Sequence, residues 1–172
     1  MAKKISRWQL AGFLFVAVAG TLLHFLFDWT KGNVVAGLVS AVNESIWEHM
    51  KLLYFPAVAF SVWEARSLKL PCFWTAKLLG LLTGLLLIPV LFYTYTGALG
   101  VVADWFNVTI FFIAGGVMFA RETWLLRREK PCASRAWMGI LLLGLLFIVF
   151  TFLTPRIPLF QDPITGTYGY QG

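Results

Sequence analysis

Long runs of apolar side chains dominate this sequence and limit what it can fold into. Residues 8–27, 71–93, 99–120 and 136–153 each read as a nearly uninterrupted stretch of Leu, Val, Ile, Phe, Ala and Gly. A bilayer core about 30 Å thick needs about 20 residues of helix to cross it, and each run is close to that length. A helix of a soluble domain would instead space its apolar residues at i, i+3, i+4 and i+7. Composition agrees, with 59% of residues hydrophobic and 13% charged, against about 25% charged in an average soluble domain. Too few polar groups remain to cover a soluble core of this size. The predicted fold class is all-α, a polytopic helical bundle in a lipid bilayer.

A fifth run, 44–65, reaches spanning length only when its polar first turn is counted, and that turn carries Glu44, Glu48, His49 and Lys51. Pro56 within this run and Pro89 in the next remove backbone hydrogen bonds and predict kinks. Residues 33–42 are apolar but too short to cross, which predicts a re-entrant or interfacial segment. The expected organisation is one transmembrane domain over residues 1–154 with five spans, followed by a tail, 155–172, rich in turn-forming residues.

The basic residues give this bundle a direction. With the N-terminus inside, the inner segments hold Lys3, Lys4, Arg7, Arg66, Lys69, Lys77, Arg121, Arg127, Arg128, Lys130 and Arg135. Lys31, Lys51 and Arg156 fall outside. The positive-inside rule therefore predicts an N-in, C-out protein of the cytoplasmic (inner) membrane. The same distribution accounts for the net charge of +6 and argues against nucleic acid as a partner, leaving the lipid bilayer. Met1–Arg7 and Ala17-Val18-Ala19 resemble parts of a signal peptide. The apolar run continues past them, which predicts an uncleaved first span. Cys72 and Cys132 sit in matching contexts, Leu70-Pro71-Cys72 and Lys130-Pro131-Cys132, on the face where thiols stay reduced.

This topology gathers ionisable groups at the outer boundary: His24, Asp28, Glu44, Glu48, His49, Asp104 and Asp162. Such groups are costly at that depth unless paired, hydrated or metal-bound, and mark a candidate site. Thr21, His24 and Asp28 share one helical face at i, i+3 and i+7, and His49 is turned about 100° from Glu48. His24, Asp28, Glu48 and His49 are ligand types for zinc or a similar divalent ion. Glu44 would then act as general base in hydrolysis. Asn43, Asp104, Asn107, Asp162 and Tyr168 are further polar candidates, the last two if the tail folds back over the cluster. The structural alternatives are specific. Ser45 and Glu48 fit a capping box, Asn43 can cap the same helix, Glu48 can pair with Lys51, and His24 can bond Asp28.

At Asn43-Glu44-Ser45-Ile46-Trp47-Glu48-His49, after a first helix ending in His24-Phe25-Leu26-Phe27-Asp28, the chain resembles a family of small prokaryotic membrane proteins classed as a domain of unknown function. The resemblance extends through residues 160–169 of the tail. It implies a bacterial or archaeal inner-membrane protein whose outer cluster acts as one unit, and it implies no activity. Three functions compete on the residues. One is a metal-dependent hydrolase of a lipid-like or envelope substrate. The second is a transporter or binding protein for a cation or small solute. The third is a scaffold subunit, since Gly80, Gly84, Gly115 and Gly116 permit close packing within a chain or in a homo-oligomer.

Overall fold

The computed structural model describes residues 1–128 and 132–171. Among these residues six α-helices form in chain order: α1 Ala2–Trp29, α2 Val34–Gly37, α3 Ile46–Leu68, α4 Phe73–Leu99, α5 Asp104–Arg128 and α6 Ala136–Phe152. A 3-10 turn, Pro158–Phe160, follows in the tail. There is no β-sheet among the described residues; a lone antiparallel bridge joins Gln161 and Tyr168. The all-α expectation therefore holds.

Among the described residues three helices, α1, α4 and α5, are long and apolar enough to cross a membrane, where five were expected. The other two fall short for different reasons. Helix α3 carries Glu48, Lys51, Glu64 and Arg66 along its length. Helix α6 has 17 residues, about 26 Å at 1.5 Å per residue. Helix α3 contacts all four other long helices, and Glu48, Lys51 and Glu64 are enclosed by protein, while Arg66 near its end is exposed. Boundaries also moved. Gly100, in the left-handed conformation at φ 70°, caps α4, and α5 begins only at Asp104. Both α3 and α4 continue as helices through Pro56 and Pro89.

Helix α1 is patterned for lipid on one side and close helix packing on the other. Leu10, Leu14, Val18, Leu22, Phe25 and Trp29 are exposed at steps of three and four. Gly12, Val16 and Gly20 are buried on the opposite face. At Gly20 a methyl group would meet Phe111 at 2.6 Å and the Leu52 carbonyl at 2.8 Å. Glycine here lets α1 approach α3 closely enough for His24 and His49 to face each other.

The segment between α1 and α3 does not cross the bundle. It makes one turn of helix, with Asn33 Oδ1 accepting from the Val35 N–H at 2.8 Å, and returns to the same end. The tail folds back there too. Tyr170 N–H donates to the Thr151 carbonyl at 3.0 Å, and the Asn43 amide donates to the Gly169 carbonyl at 3.0 Å.

The reduced-thiol expectation is corrected. Cys72 and Cys132 are joined as a disulfide, with Cα atoms 4.7 Å apart. The Thr75 hydroxyl accepts from Ala133 N–H at 2.9 Å and donates to the Ala133 carbonyl at 3.3 Å. This clamp holds the segment before α6 against the start of α4 and brings the two sulfurs together. Lys130 and Pro131 lie outside the described residues. Reduction, or Cys132→Ser, is expected to cost about 2–4 kcal/mol, seen as a lower Tm in reductant for the wild type but not for the variant. An identical Tm with and without reductant for the wild type argues against the bridge.

Candidate metal centre

The segment leading into α3 places its side chains on three different sides. Asn43 Oδ1 accepts from Ser45 N–H at 2.9 Å, closing a tight turn. Ser45 then caps α3, its hydroxyl oxygen facing Glu48 N–H at 3.4 Å. The capping box is only half formed, because the Glu48 carboxylate does not return to the Ser45 N–H. It accepts from Val42 N–H at 3.1 Å and pairs with Lys51 at 2.7 Å. Trp47 packs on Phe147 and Phe160, with ring centres 4.6 and 4.7 Å away, which locks α3 to α6 and the tail. His49 and Glu44 are left facing α1.

There they meet His24. Glu44 Oε2 lies 3.4 Å from His49 Nε2, and Oε1 lies 3.8 Å from His24 Nε2. One ligand atom from each of the three residues lies within 4.8 Å of the others. The imidazole rings are 5.4 Å apart, centre to centre. Two imidazoles and a carboxylate form a donor set that suits zinc and leaves a coordination position open.

The hydrogen bonds around the rings fit that reading. His49 Nδ1 lies 2.9 Å from the Ser45 carbonyl, so Nδ1 carries a proton and donates it. Its Nε2 then faces a carboxylate in one of two ways. It is an imidazolium N–H, or it is a lone pair with a cation between the two groups. A ligating histidine whose second nitrogen is held by a backbone carbonyl has the usual second-shell arrangement of metal sites. His24 Nδ1 is buried without a hydrogen-bond partner. The His49 ring beside Glu44 holds its carboxyl below the usual carboxylate range, with burial opposing the shift.

Next to this trio opens a cavity of about 410 Å³. Leu52, Val108, Phe111 and Phe112 give it apolar walls, while Thr21, Asp104 and Asn107 add polar groups. Asn107 Oδ1 accepts from the Tyr95 hydroxyl at 2.6 Å, which fixes the amide. Ile164 brings the tail to the cavity rim.

The remaining candidates are placed as follows. Asp28 is exposed near the end of α1 and takes no part in the trio. Glu48 is 2% exposed and turned to Lys51, away from the histidines. Asp162 is buried and accepts from the backbone N–H groups of Ile164 at 2.7 Å and Thr165 at 3.1 Å. Its Oδ2 also faces Glu44 N–H at 3.4 Å. Burial pushes the Asp162 carboxyl up, but those backbone donors outweigh it and hold it low. Asp162 thus steadies the backbone of Glu44 rather than entering the trio. Tyr168 contributes its backbone, as the partner of Gln161, and does not line the cavity.

A second polar cluster had no counterpart in the sequence reading. Gln9, Glu64, Lys77 and Glu122 are all buried and come together from four helices. Lys77 within an apolar run was the one available signal, and its position near a helix start made it look like a loop cation. No curated protein and no solved structure matches the chain. A family of unknown function, DUF6512, matches residues 1–170. With nearly the whole chain covered, the protein belongs to that family.

Proposed function

We propose that this is a metal-dependent membrane hydrolase, with His24, Glu44 and His49 holding a divalent ion such as zinc at the outer membrane face. One observation carries the reading: two imidazoles and a carboxylate converge within 4.8 Å at the mouth of a largely apolar cavity. The apolar walls suit the acyl part of a lipid-like or envelope ester. An ion held by the trio supplies Lewis acidity for hydrolysis. Glu44 then serves as ligand rather than base, and Asp104, on the cavity wall, is the carboxylate left to take a proton from water. In the same reading α3 and α6 complete five spans. Glu48, Lys51 and Glu64 of α3 face protein, and the basic residues of the opposite end favour a cytoplasmic N-terminus, although the Cys72–Cys132 bridge at that end is unusual for a reducing compartment.

Elemental analysis of protein purified in detergent tests the site. About one transition-metal ion per chain is expected, lost in His24→Ala and His49→Ala. No bound transition metal, or full retention in both variants, would falsify the metal reading. Mass spectrometry of lipid extracts incubated with the metal-loaded protein tests the reaction. Metal without any hydrolysed ester removes the hydrolase and leaves the transporter. Liposome flux abolished by Glu44→Gln would then support it.

A further inference from the structure

Helix α3 carries His49 near its start and Glu64 near its end, about 22 Å apart at 1.5 Å per residue. Around Glu64 lies a polar cluster separate from the metal trio. Lys77 Nζ of α4 sits 2.5 Å from Glu64 Oε2 and 2.5 Å from Glu122 Oε2 of α5. From α1, Gln9 Nε2 donates to Glu64 Oε1 at 2.6 Å. Glu64 and Glu122 are 0% exposed, and Lys77 is 1% exposed. The rings of Phe73 and Phe119 lie beside the ammonium, 5.5 and 5.2 Å from it. At Gly80 any side chain would run into Glu122, so glycine makes room for that carboxyl between α4 and α5.

The charges do not balance. Two carboxylates face one ammonium, which leaves one negative charge in an apolar interior. A buried charge without a partner is expensive, and such a group takes up a proton instead. Two cations of neighbouring elements are engaged elsewhere: Lys4 bonds the Ser67 carbonyl and Arg127 bonds the Ser6 hydroxyl. Among the described residues, Lys77 is the one cation paired with either carboxylate. The hydrogen bonds point to where a proton belongs. Gln9 Oε1, Glu64 Oε2 and Glu122 Oε1 are all buried without a hydrogen-bond donor. Glu64 Oε1 accepts from Gln9, and Glu64 Oε2 and Glu122 Oε2 face the Lys77 ammonium, so Glu122 Oε1 is the carboxyl oxygen left to carry a proton.

We propose that Gln9, Glu64, Lys77 and Glu122 form a proton-binding site that holds one carboxyl proton at neutral pH, on Glu122. The ligand is the proton itself, and four helices contribute to its binding. The titratable groups at this site are Glu64, Lys77 and Glu122, one each from α3, α4 and α5; α1 presents the neutral Gln9. Folded protein keeps a proton that the unfolded chain releases above the ordinary carboxylate range. Stability therefore falls as pH rises through the neutral and alkaline range.

Infrared spectroscopy reads the proton directly. Wild type at neutral pH is expected to show a protonated-carboxyl C=O band that shifts in D2O. The band is expected to vanish in Glu122→Gln. It should vanish also in Glu64→Gln, where one carboxylate remains for one ammonium, and to persist in Glu44→Gln. The alkaline fall in Tm is expected to flatten in the same two variants. Absence of the band in the wild type, or its survival in both variants, overturns the proposal. Either variant decides the matter if the other fails to fold.

Discussion

Lys51→Met is expected to destabilise the protein by about 3–5 kcal/mol, the cost of removing one partner from a buried ion pair. The ammonium is fully enclosed, with 0% exposure, and pairs with Glu48 at 2.7 Å. Its other bonds go to the Gly37 carbonyl at 2.8 Å and the Thr151 hydroxyl at 2.9 Å, so all three N–H donors of the lysine have partners. Thr151 in turn lies 3.0 Å from Glu48 Oε1. The substitution leaves the Glu48 carboxylate without its counter-charge and the Gly37 carbonyl without its side-chain donor, while Thr151 keeps its bond to Glu48. Thermal or denaturant unfolding in detergent measures the loss. A cost under about 1 kcal/mol is what a solvated pair would show, and would mean that water reaches the site. Glu48→Gln combined with Lys51→Met should recover part of the loss, since the double variant leaves no stranded charge. The network joins the 33–42 segment, the start of α3 and the end of α6, so its loss should also loosen the backbone that carries Glu44.

Several of these features were legible in the sequence, because they depend on local periodicity. Apolar run lengths located helices α1, α4, α5 and α6, and the 100° step between Glu48 and His49 put them on different sides of α3. Features that depend on which helix faces which were not. Asp28 shares a helical face with His24, but one further turn of α1 carries it past the trio into exposure. Glu48 has ligand chemistry, yet the i, i+3 lysine lies closer than either histidine and captures it. Residues 9, 64, 77 and 122 have no periodic relation at all. Only the packing of α1, α3, α4 and α5 brings them together. Likewise the matching contexts of Cys72 and Cys132 gave no pairing until Thr75 clamped Ala133.

Zinc affinity is the most sensitive measure of the trio. His49→Ala is expected to weaken binding by more than about 100-fold, because loss of a second-shell partner alone typically costs about 10–100-fold. Asp162→Asn should fall within that smaller range. It leaves the three donors in place but weakens the acceptor that faces the Glu44 N–H and shapes the Ile164–Thr165 turn. Asp28→Asn should leave affinity unchanged. The pH profile adds a second discriminator. Ligands must be deprotonated to bind a metal, and Glu44 is held below the ordinary carboxylate range chiefly by His49. Mild acid therefore leaves Glu44 ionised, and affinity should fall without proton uptake by Glu44. In metal-free protein the sign is the reverse of the alkaline effect at Glu122. The Glu44–His49 contact contributes stability above the ordinary carboxylate pKa while the imidazole stays protonated, and loses it as pH falls through the depressed carboxyl value. Isothermal titration with zinc across this range measures both quantities. A His49→Ala affinity within tenfold of wild type, or equal losses for Asp28→Asn and His49→Ala, would remove the trio as the ligand set.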